Sequence, residues 1–537
     1  MLLATPLALL GGAEALVRLL GGAGLSPDDE LVLTDVPSFF ERRVVDGVPV
    51  YEVDHPEAYR GWGVRIPVEK PAGAFRVFCL GASAAAGWPH PPGQSACHVL
   101  EEAMRAAWPG RAVEVFNVSA HAYPIYRVRL VFEQVIDFDP DLLVLWSGNN
   151  EFLEHRTYLR DWPALRRLDA AAHRLHLYRW LRAALVSALY PGNALSGKAR
   201  EGAAEGLRSK LAQMAVELRS DPVQFEGVKR HYRKTLDAMA EAARARGVPM
   251  LVLTVPVNLR GWHPNASAHA AEGEQLEAWR RSFDAARAEL LRGHPEEAVV
   301  LLRRAVDLDP AHAQTRFLLG RALEAAGDHD AAERAYQQAV DLDQNPFRAI
   351  SAFEEAQRAA ASGEGVWLVD AREAMARASA PLAPGLDLFL DYVHPTSAGN
   401  RVVASALFDA IAARGLLGPE PPESGFRAGP PRLADGSPYD ADRDARLQLT
   451  LLALFVVMHQ HEGAVTLAQR LAAAGGGELP MVRRVLEVLP AWLELERDRL
   501  LGAPVAPDRA ARVQGAFEAF YAREAKAART GTPAAPP

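Results

Sequence analysis

Phe75 to Gly87 reads FRVFCLGASAAAG: a mostly apolar run, then a glycine, a serine among small neighbours and a second glycine. An apolar run of this length bounded by turn residues is a strand buried on both faces. The small residues after it make a strand-to-helix turn. A serine between Gly81 and Gly87 can present its hydroxyl at the helix start, where nothing bulky keeps an acyl group from the backbone. Alone, the string describes a phosphate-binding turn or a plain helix cap equally well.

Outward from this turn, four more short runs rich in β-branched residues follow: Val113 to Val118, Leu142 to Trp146, Met250 to Val255 and Val366 to Asp370. Each precedes a segment of helical periodicity. Strands separated by helices predict an α/β domain with an open, doubly wound parallel sheet. In such sheets ligands bind beyond the carboxyl ends of the strands, so chemistry is sought just after each run.

The chain has 537 residues with a formal charge of −8, 49% hydrophobic and 23% charged residues. That is a globular composition, and the acidic balance lacks the footprint of a general nucleic-acid binder. Cys79 and Cys97 are the only cysteines, too few for a disulfide framework or a Cys-based zinc site. Met1 to Gly24 is apolar, with an uncharged run from Leu2 to Ala13 and then Glu14 and Arg18. The run is shorter than the roughly 20 residues that span a bilayer, and no basic n-region precedes it. It reads as a signal anchor, an interfacial helix or a helix docked on the body. The first of these would put the protein on a membrane, outside the cytoplasm.

The expected organisation is this apolar segment (1–24), an N-terminal extension (25–73), an α/β domain (74–416), a linker (417–440), a C-terminal helical unit (441–526) and a disordered tail (527–537). Two insertions interrupt the α/β domain. The first, 151–248, is helical by pattern and basic around Arg166, Arg167, Arg174, Arg179 and Arg182. Within it, Leu177, Leu181 and Leu185 read as a helix packed on the core, a substrate lid or a membrane-facing helix. The second, 262–362, contains a repeat: GHPEEAVVLLRRAVDLDP from Gly293 recurs as GDHDAAERAYQQAVDLDQ from Gly327, a 34-residue period resembling the tetratricopeptide repeat. Gly320 and Tyr336 fall at its small and large packing positions. Such repeats usually offer a groove to a protein partner; the alternative is a structural prop.

Two more strand ends carry polar clusters. SGNNEF, Ser147 to Phe152, supplies amide side chains able to donate to a developing oxyanion. DLFLDYVHPTSAGN, Asp387 to Asn400, sets Asp391 three residues before His394. That spacing lets the carboxylate reach one imidazole nitrogen while the other faces a serine. His90, His121 and His155 have no clustered carboxylate or cysteine partners and read as packing or substrate contacts, not metal ligands.

Together these blocks resemble the SGNH hydrolase, or GDSL-like lipase and acylhydrolase, superfamily. The resemblance runs from Phe75 to Leu416 without the insertions, about half the chain. The first block matches at Gly81, Ser83 and Gly87, with Ala82 where the family usually has Asp. NVSAHAY, Asn117 to Tyr123, matches the second, with Ala122 at the family's glycine. Gly148, Asn149, Asn150 and Glu151 match the third, and Asp391 and His394 the last. The resemblance implies a flavodoxin-like sheet and acyl transfer through a covalent intermediate. Ser83 would be the nucleophile, His394 the base and Asp391 its support. The oxyanion would be met by the N–H groups of Ser83 and Ala122 and by Asn150, with Asn149 as the alternative. No cofactor or metal is implied.

Three functions follow as expectations. The first is a serine esterase acting on an ester-bearing small molecule, lipid or acylated glycan, with the repeat docking a partner. The second is an O-acyltransferase or deacetylase of a cell-envelope polysaccharide. The third is a non-catalytic scaffold, for which Ala82 and Ala122 speak and against which the intact Ser83, Asp391 and His394 set speaks.

Overall fold

The computed structural model describes residues 39–53, 63–153, 218–418, 423–432, 437–440 and 444–530, with side chains to 524. The apolar segment 1–24, His155, the basic stretch with Leu177 to Leu185 and the tail after 530 lie outside the described residues. Among the described residues no helix is long and apolar enough to cross a membrane.

The five expected runs form one parallel sheet: β4 (Phe75–Gly81), β5 (Val113–Asn117), β6 (Leu142–Trp146), β7 (Met250–Leu253) and β8 (Val366–Val369). Their order is β5-β4-β6-β7-β8, which is the flavodoxin-like order. Every residue of β4, β6 and β7 is buried, because helices cover both faces. Three of the strands end one or two residues before the apolar runs do. Val118, Thr254 and Val255 instead lead into loops that border the site, and Asp370 caps the helix that follows β8.

Helices α2 (Ala96–Ala107), α10 (Ala371–Ser379) and α11 (Ser397–Ala413) pack together as one layer. Helices α3 (Ile125–Val135), α4 (Pro222–Arg246) and α9 (Ser351–Ala360) form another. The sequence dictates the ends of α4: the Asp221 carboxylate accepts from the N–H groups of Val223 and Gln224, Pro222 opens the first turn and Gly247 closes the helix at φ 65°.

The extension contributes a structure the sequence reading left out, a three-stranded antiparallel sheet of β1 (Phe40–Val45), β2 (Val48–Val53) and β3 (Arg65–Pro67). Asp46 and Gly47 join β1 to β2, both at positive φ, the backbone of a two-residue hairpin. Tyr51 stacks on Phe138 at 3.9 Å and Phe40 meets the same ring edge-on, fixing this sheet to the core. Cys79 and Cys97 form a disulfide between β4 and α2. One bond is not a framework, but it adds a covalent tie that the count of two cysteines did not suggest.

Between β7 and β8 lie α5 (Gly273–Arg292), α6 (Pro295–Leu308), α7 (Ala313–Ala325) and α8 (His329–Leu342), the helices of the repeat. Gly320 lies against Tyr336 so closely that a Cβ would come within 2.6 Å of the ring, the small-on-large contact that lets α7 and α8 approach. These helices share one hydrophobic core with the sheet. After α11, residues 423–432 and 437–440 do not stand away from the domain. Glu423 N–H donates to Ala107 O, Arg401 donates to the carbonyls of Ala428 and Gly429, and Gln94 donates to Arg432 O. The C-terminal helices α12 (Ala445–Val457), α13 (His461–Leu471), α14 (Pro480–Leu500) and α15 (Pro507–Thr530) enclose a second core. Trp262 is fully buried in that core, and Leu390 and Tyr392 pack against it.

Candidate active site

Ser83 opens α1 (Ser83–Ala86), a single turn directly after β4. Gly81 is required there: a Cβ would lie 2.2 Å from the Trp146 carbonyl oxygen. Asn117 locks the turn from the next strand, donating to Ala85 O at 2.8 Å and to Ser95 Oγ at 3.0 Å. Ser83 is half-buried while its neighbours Ala82, Ala84, Ala85 and Ala86 are buried, so the hydroxyl is what this turn offers to solvent.

Asp391 and His394 come from the loop before α11, closed on itself by Leu390 N–H to His394 O at 2.7 Å and Thr396 N–H to Leu388 O at 2.9 Å. Both side chains are buried. Asp391 Oδ1 accepts the backbone N–H groups of Val393 and His394, each at 2.9 Å, and Oδ2 lies 2.7 Å from His394 Nδ1. An ionised carboxylate only accepts, so Nδ1 carries the proton and Nε2 is the free acceptor. Ser83 Oγ lies 2.8 Å from Nε2, across 311 positions of sequence. The hydroxyl therefore donates to the imidazole, which can take its proton and share the resulting charge with Asp391.

The expected oxyanion donors sit on the neighbouring loops. Asn150 is buried and its Nδ2 donates to Tyr123 O at 3.3 Å, on the loop that carries Ala122. Asn149 faces elsewhere: its Oδ1 accepts the N–H of Ala349 at 3.0 Å. Ala122 has φ 60°, the left-handed region in which L side chains are strained. Glu151 is buried and accepts Ile125 N–H at 2.8 Å, joining the Asn150 loop to the first turn of α3.

Trp88, Asn258 and Tyr439 escaped the sequence reading, whereas His90 and His121 were expected as packing or substrate contacts. Trp88, half-buried, meets the His394 ring edge-on at 4.5 Å. His90 is fully buried, with Nε2 2.9 Å from Pro395 O and Nδ1 3.3 Å from Tyr439 Oη. Burial pushes its pKa down, so it is neutral, donating to Pro395 and accepting from Tyr439. Asn258 donates to Asp391 O at 2.8 Å; its place just beyond β7 was the signal that could have found it. His121 is half-buried beside Ala122. Among the described residues no group of three or more His, Cys, Asp or Glu is arranged to hold a metal.

Residues 289–360 match the tetratricopeptide repeat family. No curated protein matches the chain. Solved structures similar to it include an alpha/beta hydrolase enzyme from the metagenome of Lake Arreo, Spain, at 13% identity and TM-score 0.30, covering 64% of this chain and 97% of that one. An acetyl xylan esterase from Geobacillus stearothermophilus is similar at 13% identity and TM-score 0.27, over 63% and 95%. A GDSL-like lipase from Bacteroides thetaiotaomicron is similar at 13% identity and TM-score 0.26, over 63% and 88%. The tetratricopeptide-like insertion expected from the 34-residue period is thus matched by a family model.

Proposed function

We propose that this chain is a serine-dependent acylhydrolase acting on ester bonds. The observation that carries the reading is the hydrogen-bonded series Ser83 Oγ, His394 Nε2, His394 Nδ1 and Asp391 Oδ2, at 2.8 and 2.7 Å. His394 takes the Ser83 proton as Oγ bonds to the ester carbonyl carbon, then returns it to the departing alkoxide as the acyl C–O bond breaks. Water repeats the sequence on the acyl-enzyme: His394 takes its proton, its oxygen bonds to the acyl carbon and Ser83 leaves reprotonated. The N–H groups of Ser83 and Ala122 and the amide of Asn150 receive the oxyanion, each well-placed donor contributing about 2.7–4 kcal/mol. No cofactor is needed for these steps.

Among ester-bearing small molecules, lipids and acylated glycans, a glycan is favoured by Trp88, whose partly open indole beside His394 suits the apolar face of a sugar ring. The buried Cys79–Cys97 bond favours an oxidising compartment, which supports the second reading, acyl transfer to or removal from a cell-envelope polysaccharide. A fluorophosphonate probe and short p-nitrophenyl esters test the proposal. Wild type is expected to label and turn over, and Ser83→Ala to do neither. Labelling that persists in Ser83→Ala overturns the nucleophile assignment. An unlabelled wild type favours a non-catalytic scaffold.

A further inference from the structure

The repeat pair already grips a segment of its own chain. Asp309 and Asp343 occupy equivalent positions in the two copies, each just after the second helix. The Asp343 carboxylate accepts the N–H groups of Asn265 and Ala266, at 2.9 and 3.0 Å. Four residues further along the same segment, the Asp309 carboxylate meets His269 Nδ1 at 2.6 Å and accepts Ala270 N–H at 3.2 Å. Gln344 N–H donates to Ala266 O, and Gln314 N–H to Ser267 Oγ, each at 3.0 Å. The 34-residue period of the repeat is thus matched to a four-residue step in an extended strap that leaves the carboxyl end of β7.

That grip continues into both halves of the site. Arg348, which follows the second copy, is 2% exposed and pairs at 3.6 Å with Asp343, 1% exposed. Its Nη1 donates to the carbonyls of Asn258 and Trp262, both at 2.8 Å. Asn258 in turn donates to Asp391 O at 2.8 Å and to Tyr392 O through its backbone N–H at 3.0 Å, while its Oδ1 accepts Gly261 N–H at 2.8 Å. The next residue, Ala349, donates its N–H to Asn149, beside Asn150. Two consecutive residues therefore hold the loop of the base and the loop of the oxyanion donor.

We propose that the repeat insertion is an internal brace setting the Asp391–His394 turn against the Asn149–Asn150 turn, with Arg348 and Asn258 as positioning residues. Its effect on rate rests on the serine-hydrolase reading; its effect on the turn does not. Misplacing reacting groups by about 1 Å costs about 10²-fold, so small shifts of the turn register in kcat.

The test uses the full chain carrying Arg348→Met with Asp343→Asn, which leaves no lone buried charge. Leu302→Ala, fully buried in α6, is the control for a general loss of stability, since it leaves the hydrogen bonds of Arg348, Asp343 and Asn258 in place. In the paired variant we expect kcat on p-nitrophenyl acetate and the fluorophosphonate labelling rate to fall about 10- to 100-fold with KM within about twofold. Hydrogen exchange at the Val393 and His394 amides should quicken at least about tenfold, while Leu302→Ala leaves these readouts within about twofold. Arg348→Lys, which keeps a donor for the two carbonyls, should restore most of kcat. If the paired variant gives no cooperative unfolding transition, Asn258→Ser removes the donor to Asp391 O and is read by the same measurements. Exchange and labelling both at wild-type rates in a folded variant overturn the brace. A wild type that never labels overturns the hydrolase reading instead, and the exchange measurement still decides the brace.

Discussion

Ser83 sits on a turn held by the sheet itself, whereas Asp391 and His394 sit on a turn held largely by loop segments that border the insertion and the C-terminal helices. The serine turn is fixed by Gly81 against the Trp146 carbonyl, by Ala120 N–H to Gly81 O at 3.1 Å and by Asn117, all within the sheet and its edges. The histidine turn leans on Asn258, on His90 and Tyr439, and on Tyr392, whose ring lies 5.3 Å from Trp262 and 5.9 Å from Phe347. Trp262 belongs to the core of the C-terminal helices. The Ser83 turn is therefore as firm as the sheet, while the placement of His394 depends on parts of the chain outside the sheet and its covering helices.

The largest effects should come from the relay itself, whichever elements hold it. Asp391→Asn should lower kcat about 10⁴-fold with KM little changed, because the amide no longer selects the tautomer that leaves Nε2 free. Steady-state kinetics on a p-nitrophenyl ester reads this directly; an unchanged kcat would mean that His394 does not work through Asp391. Next in size is the split between adjacent asparagines. Asn150→Ala should cost about 10²- to 10³-fold in kcat as an oxyanion donor is lost. Asn149→Ala should instead lower stability by about 1–3 kcal/mol, by orphaning the buried Ala349 N–H, with a smaller loss of kcat. The reverse pattern would exchange the two assignments.

The difference between the two turns also explains which parts could be read in advance. The strands declared themselves as apolar runs with turn residues at their ends, and the Asp391–His394 spacing is local, so both survive as sequence patterns. The repeat was legible because Gly320 and Tyr336 belong to a periodic pattern. Arg348 was not, since its partner lies 90 positions away and no period or neighbour marks it; for Asn258 only its place just beyond β7 pointed to the site, its partner lying 133 positions away. Asp46–Gly47 is the ordinary signature of a hairpin and was readable, but the extension has too few strand residues for its sheet to stand out. The backbone of Ala122 was hidden for another reason. Alanine seldom adopts positive φ, so its identity argues against the conformation it holds.

Acid should loosen the repeat that borders the histidine side of the comparison. Burial first, and then the nearby His269, push the His312 pKa down to about 4, against the opposing pull of Asp309. The folded repeat thus keeps His312 neutral at pH values where the unfolded chain, with an ordinary histidine, takes a proton. Stability from this group is complete above about pH 6.5 and falls as pH drops toward about 4, by on the order of 3 kcal/mol. His461, in the C-terminal helices, is likewise held down to about 4 by burial and by His459. Denaturant midpoints at pH 7, 5.5 and 4.5 measure the slope. His312→Asn, which keeps an acceptor for the Thr315 N–H at the start of α7, should remove the His312 share. A slope unchanged in that variant would move the acid sensitivity elsewhere.

The smallest expected effect falls at Ala122, on the loop that leaves β5. Its φ of 60° brings the Cβ into the clash that makes the left-handed region costly for L residues, about 1–2 kcal/mol. Glycine removes that clash but gives back some of the gain through a more flexible unfolded chain, about 0.4–1 kcal/mol. Ala122→Gly should therefore raise stability by about 1 kcal/mol or less, a shift of about 2–4 °C in Tm at this domain size. Catalysis should change little, because both residues present the same N–H and Tyr123 O still accepts from Asn150. A large gain in kcat would mean that the alanine misaims its N–H, so that a sheet-held loop, and not only the Asp391–His394 turn, limits the site. A fall in Tm would mean that the turn, held at Tyr123 by Asn150 and at Ile125 by Glu151, enforces the backbone without strain, and that the methyl group contributes packing here.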